Sequence, residues 1–218
     1  MRHRRTARRG AGLLMVLCLS GLPLAAQAQS FQSVERQSLD RIVAVVNQDA
    51  IMHSELDERI AQARSQLTAQ QIDLPPERTL REQVLERMII EEIQLQMARE
   101  AGLSIDDTEL NRQVRAIAEN NGMSLEQFAD ALEADGLTLA AVREEIRREL
   151  VLRELQQRQV GSRVNLSERE VERFMEQEGV DRRQAQQALF QRKASAELDA
   201  WLQEIRSQAF VDNRLDAR

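Results

Sequence analysis

Apolar residues along this chain change their period near residue 53. Before that point they fall in two short β-prone stretches, Ile42 to Val46 and Ala50 to Met52, separated by Asn47, Gln48 and Asp49. Asn and Asp tolerate the left-handed backbone of a tight turn, so the segment predicts a β-hairpin. A two-stranded hairpin is marginal in water and needs a further strand or a helical surface against it. Phe210, Val211 and Asp212, near the other end of the chain, are candidates for that strand.

After the hairpin, apolar positions recur at helical spacing. Ser54 is read as the cap of a first helix reaching about Gln70, and Leu74, Pro75, Pro76 and Glu77 as a break, since paired prolines cannot continue a helix. Thr79 with Glu82 has capping-box spacing and opens a long helix to Ala101. Its Val84, Leu85, Met88, Ile89, Ile93 and Met97 form a broad apolar face, which predicts the most buried helix of the fold. Asp106, Ser124 with Gln127, Thr138, and Ser167 with Glu170 mark four more helix starts, and a last helix runs from about Asp181 to Gln208. Gly102, Gly122, Gly136, Gly161 and Gly179 are each placed just past a helix, as C-terminal caps. Trp201 is assigned to the core seam between the last helix and the rest.

The fold class that follows is mostly α: a helical domain with a small antiparallel sheet made by an N-terminal hairpin and a short C-terminal strand. Upstream of the hairpin, a cationic start, an apolar run from Gly10 to Leu24 and the small residues Ala26 and Ala28 read as a cleavable secretory signal over residues 1–28. Residues 29–39 are expected to be a disordered extension, and residues 40–218 a single domain. Cleavage would remove the only cysteine, Cys18, so packing rather than a disulfide must hold the exported protein together.

Charge narrows the partners. The signal carries five of the 30 basic residues and no acid, leaving 25 against 36 acidic residues, a net of −11. That balance excludes nucleic acid and anionic lipid as main partners. Catalytic chemistry is poorly provided for: beyond the signal there is one histidine, His53, and no cysteine. A lone histidine with dispersed acids makes no metal set, and no glycine-rich phosphate loop occurs, so neither metal nor cofactor is expected. Glu91 and Glu92, like Glu144 and Glu145, are adjacent in sequence, do not face each other on a helix, and are read as solvated.

Val45, Val46 and Asn47 in the hairpin, Ser54, Glu55 and Leu56 after it, and Leu95, Gln96 and Met97 followed by Gly102 resemble the N-terminal core of the SurA family of periplasmic chaperones. Asn121, Met123, Gln127, Leu132 and Gly136 continue the resemblance in register, and residues 192–211 look like that family's C-terminal helix and closing strand. The resemblance implies an ATP-independent periplasmic holdase that binds unfolded outer-membrane proteins, and other unfolded polypeptides, through a hydrophobic groove. The outer-membrane assembly machinery is a further implied partner. Family members commonly insert parvulin-type prolyl isomerase domains before the last helix, whereas here Gln177, Glu178 and Gly179 run almost directly into Asp181. The isomerase activity is therefore not carried over, and a non-enzymatic chaperone core is expected.

Unbranched, polarizable methionine suits a surface that must accept many sequences. Met123, Phe128, Phe174 and Met175 are the preferred groove residues because they fall on short or terminal helices. A second reading is an envelope adaptor that binds one dedicated partner. Pairing of hairpin and final strand within one chain, or exchange of that segment between two chains to give a homodimer, is left open.

Overall fold

A computed structural model describes residues 40–161 and 163–216, and the signal and extension expected at 1–39 lie outside the described residues. The described chain begins with the hairpin, β1 (Ile42–Val46) and β2 (Asp49–Met52), closed by Asn47 and Gln48 alone. Asp49, expected in the turn, is the first residue of β2. Asn47 takes φ +53°, which an Asn accepts at small cost. The third strand, β3 (Val211–Asn213), pairs antiparallel with β1 and gives the order β2-β1-β3. The closing strand expected from sequence is present, one residue later than anticipated.

Seven helices lie between β2 and β3 among the described residues: α1 (His53–Ala69), α2 (Glu77–Glu100), α3 (Asp107–Asn120), α4 (Leu125–Ala134), α5 (Leu139–Gly161), α6 (Glu168–Glu178) and α7 (Arg182–Gln208). Most starts follow the sequence. Asp106, Ser124, Ser167 and Asp181 each accept a hydrogen bond from the backbone N–H three residues on. Thr138 does the same for Ala141.

Two starts are corrected. The helix after the hairpin begins at His53, and Ser54 lies within its first turn. Asp40 takes the capping role instead, accepting from the Ser54 N–H at 3.1 Å and from its hydroxyl, while Glu55 accepts from the Met52 N–H at 2.9 Å. That Ser54 hydroxyl holds the Asp40 carboxyl below its usual range. The long helix opens at Glu77 behind Pro76, whose φ of −51° already suits a helix start, so Thr79 and Glu82 fall inside it. Glu82 accepts from Arg78 at 2.8 Å instead of closing a capping box.

The glycine reading holds at Gly102, which takes φ +64° while the Leu103 N–H reaches back to the Ala98 carbonyl at 2.9 Å. Gly161 departs from it, being the last residue of α5 without a left-handed backbone.

As expected, α2 is the central helix. Its Leu80, Leu85, Ile89 and Ile93 are buried against Val43 and Val46 of β1, Leu56 and Ile60 of α1, and Trp201 and Ile205 of α7. Trp201 is 2% exposed, in the seam assigned to it. A second, smaller cluster joins Leu110 and Val114 of α3 to Ile146 and Leu150 of α5. α5 bridges the two, because Leu155, further along the same helix, belongs to the main cluster.

Candidate functional site

The hairpin turn is fastened to α2 and to the start of β3 by one side chain. Asn47 donates from Nδ2 to Gln96 Oε1 at 2.7 Å and accepts at Oδ1 from the Phe210 N–H at 3.0 Å. Its own N–H donates to the Phe210 carbonyl at 2.8 Å. Gln96 in turn donates to the Val46 carbonyl and to Asp49. Arg99 donates to Asp49 at 2.6 Å and to Glu92 at 2.9 Å. The Gln96 hydrogen bond, with help from Glu92 and Arg99, holds the Asp49 carboxyl below its usual range, whereas burial and the nearby Asp49 push Glu92 up.

Beside this network, α1, α2 and α5 enclose a groove. Arg59 of α1 crosses it, donating to Glu91 of α2 at 3.1 Å and to Glu145 of α5 at 2.9 Å. Arg148 stands 3.9 Å from both carboxylates. On the hairpin side of Arg59 the groove holds about 270 Å³ and is walled by Ile51, Met88 and Leu95. On the other side it holds about 580 Å³, walled by Leu67, Leu80, Val84 and Leu152. Glu91 and Glu92, read from sequence as solvated, are both engaged here: Glu91 is 20% exposed beneath Arg59, and Glu92 faces Asp49 and Arg99. The i,i+1 rule was right that they do not face each other, but each faces a different element.

The four groove residues expected from sequence lie in two places. Met123 is exposed at the head of α4, and Phe128 is half-buried against the α3–α5 cluster. Phe174 and Met175 are half-buried on α6, which packs on α7. The first pair has neighbours that sequence reasoning passed over: Leu125, the first residue of α4, and Leu137, just past its end, are 40% and 49% exposed. Their exposure is a property of the folded chain: α4 is apolar enough to bury a face yet supplies no buried residue. The α1–α2–α5 groove was missed because its walls come from helices whose apolar residues read as core. His53 sits at the helix start and pairs with Asp57 of the same helix at 3.1 Å.

Residues 39–156 match the SurA N-terminal domain. The chain belongs to that family. The matched stretch runs from the hairpin through most of α5, so the groove lies within the SurA N-terminal domain. Chaperone SurA of Chromohalobacter salexigens is 59% identical over 156 residues, which cover 72% of this chain and 36% of that protein. Chaperone SurA of Pseudomonas aeruginosa is 48% identical over 146 residues, 67% of this chain and 35% of that protein. The aligned region therefore spans about a third of the length of these relatives. Among solved structures, one of two structurally related SurA-like chaperones of Campylobacter jejuni superposes with a TM-score of 0.58 at 12% identity, covering 79% of this chain and 98% of that one. That likeness is one of fold. Where the SurA resemblance anticipates an inserted domain, α6 and α7 are joined by Gly179, Val180 and Asp181 alone.

Proposed function

We propose that this chain is an ATP-independent periplasmic chaperone that holds unfolded polypeptides, outer-membrane β-barrel precursors foremost, and catalyses no reaction. The observation that carries the reading is α4, an amphipathic helix with no buried residue, which opens on exposed Leu125 and is flanked by exposed Met123 and Leu137. Apolar surface left open on a charged, water-soluble fold marks a site of interaction. Membership of the SurA N-terminal domain family supports the same class of activity, and the secretory character of residues 1–28 supports the periplasm. Alternating apolar strands of barrel precursors aggregate until they insert, so transient shielding needs no energy source.

In this reading Met123 and Phe128 contribute to one client-binding surface around α4, and Phe174 and Met175 to a second on the α6–α7 hairpin. Several weak apolar sites on one molecule bind a long flexible chain through effective concentration. The test is light scattering of several unrelated urea-denatured outer-membrane barrels diluted into buffer with and without the purified protein, in the absence of ATP. Suppressed aggregation across the set is the expected result. Suppression of none, by protein verified as folded, overturns the reading and favours an adaptor with one dedicated partner.

A further inference from the structure

The groove crossed by Arg59 has an unusual wall at its hairpin end. Hydrogen bonds from Arg214 N–H to the Val43 carbonyl and from Asn47 N–H to the Phe210 carbonyl, each 2.8 Å, show that odd-numbered residues of β1 face β3. Even-numbered residues therefore face β2, where Val46 pairs with Asp49 and Ala44 with Ile51. Ala50, opposite Val45, consequently turns its N–H and C=O away from the sheet. The next outward donor, the Met52 N–H, is taken by Glu55. Among the described residues none bonds to the backbone of Ala50, which is exposed and lines the groove. β2 is thus an open sheet edge facing a concave, partly apolar channel.

The charges lining the channel are uneven. On the hairpin side Glu55, Glu58, Glu91, Glu92 and Glu145 stand against Arg59 and Arg148. Among the described residues Arg59 is the only side chain that spans the channel from α1 to both other helices, and both of its partners are carboxylates that a foreign cation could use. From Glu55 to Leu67 the wall formed by α1 is roughly 18 Å long, enough for about five extended residues.

We propose that this groove seats an extended segment of an unfolded polypeptide in which apolar residues alternate with Lys or Arg. The segment adds to the β2 edge through the backbone of Ala50. Its apolar side chains lie on Met88, Leu95 and Val84, and its cations take over Glu91 and Glu145 from Arg59. The proposal rests on the chaperone reading, assigns it a site separate from α4, and predicts a preference for sign of charge that an apolar patch alone does not have.

The test is fluorescence anisotropy with a labelled ten-residue peptide of alternating valine and lysine, beside versions carrying glutamate or serine in place of lysine. The lysine peptide is expected to bind tightest and to weaken with added salt. Arg59→Ala, which frees two carboxylates, should tighten lysine-peptide binding roughly 3-fold, and Glu91→Gln with Glu145→Gln should loosen it roughly 10-fold. Ala50→Pro removes an edge donor without disturbing the ladder to β1 and should weaken all three peptides alike. Circular dichroism verifies each fold, and Glu145→Gln alone serves if the double variant is unstable. Equal binding of the three peptides by the wild type, no binding of any, or indifference to Ala50→Pro overturns the proposal.

Light scattering with the same proteins separates the two readings. Full suppression of aggregation by the groove variants, together with unchanged peptide affinity, sinks the groove and leaves the chaperone reading standing. A wild type that binds the lysine peptide selectively yet suppresses no aggregation supports the groove and sinks the chaperone reading.

Discussion

Asn47→Ala is the substitution that best tests how the sheet is assembled. Asn47 combines a left-handed backbone, φ +53°, with two side-chain hydrogen bonds that join the hairpin to α2 and to the chain just before β3. Alanine at a left-handed position costs about 1–2 kcal/mol relative to a residue that tolerates it. The two lost hydrogen bonds contribute about 1 kcal/mol each, since both sites are exposed enough for water to replace the missing partner in part. The expected loss is therefore about 3–4 kcal/mol, a large fraction of the stability of a domain this size. Asn47→Gly keeps the backbone preference and loses only the bonds, so it should cost about 2 kcal/mol. Urea unfolding followed through the single tryptophan, Trp201, measures both. An Asn47→Ala protein within about 0.5 kcal/mol of wild type would refute the argument, as would a glycine variant less stable than the alanine one.

Other outcomes follow from particular side chains. Trp201→Ala should cost about 3–5 kcal/mol by emptying the seam between α7 and α2, seen as a lowered thermal midpoint by circular dichroism; a fully stable variant that loses client binding would mean the residue serves the surface instead. Glu170, bonded to Lys193 and to Ser167, has its pKa lowered to about 2 from 4.5. Because its folded value is depressed, its contribution is complete above about pH 4.5 and is lost as pH falls toward 2. NMR titration should then show α6 loosening from α7 in that window, and Glu170→Gln should abolish the effect. Glu92 has a raised folded pKa, so its ionised form works against folding at neutral pH and the penalty is relieved as pH falls through its titration. Glu92→Gln should accordingly gain more stability over wild type at pH 7 than at pH 5, and the reverse order of urea midpoints contradicts it. Amide hydrogen exchange should be fastest in α4, the helix without a buried residue, and slow in α2; equal protection of the two would contradict the packing argument.

Element type and order were legible in the sequence because periodicity and capping chemistry are local. Asp106, Ser124, Ser167 and Asp181 cap where their side chains say they should, and even the closing strand could be anticipated from the hairpin's need for a partner. What failed was, in all but one case, tertiary. Ser54 looks like a cap, but the carboxylate that bonds its N–H belongs to Asp40, fourteen residues upstream and across the hairpin. Pro76 overrides the Thr79–Glu82 spacing because its ring already fixes a helical φ. Of the candidate surface, Met123 could be found from residue type and helix length, while Leu125 and Leu137 needed the exposure that only the folded chain reveals. The groove was invisible for the same reason: Arg59, Glu91 and Glu145 are separated by tens of residues, and nothing along the chain says they meet.

The two apolar clusters give this division a physical cause. The main cluster gathers β1, α1, α2 and α7, elements from opposite ends of the described chain, so loosening any of them exposes the whole and the unit opens cooperatively. The α3–α5 cluster has four buried residues and borrows half of them from α5, with α4 merely leaning on it through Phe128. Such a satellite can shift while α5 stays anchored by Leu155 in the main cluster. A surface for many different partners needs this combination, a rigid base with an adaptable apolar cover, since a fully packed α4 would present one shape only. In the proposed reading the groove at Arg59, walled by α1 and α2 of the main cluster, discriminates among segments by charge and strand edge, whereas the surface around α4 holds them without that preference.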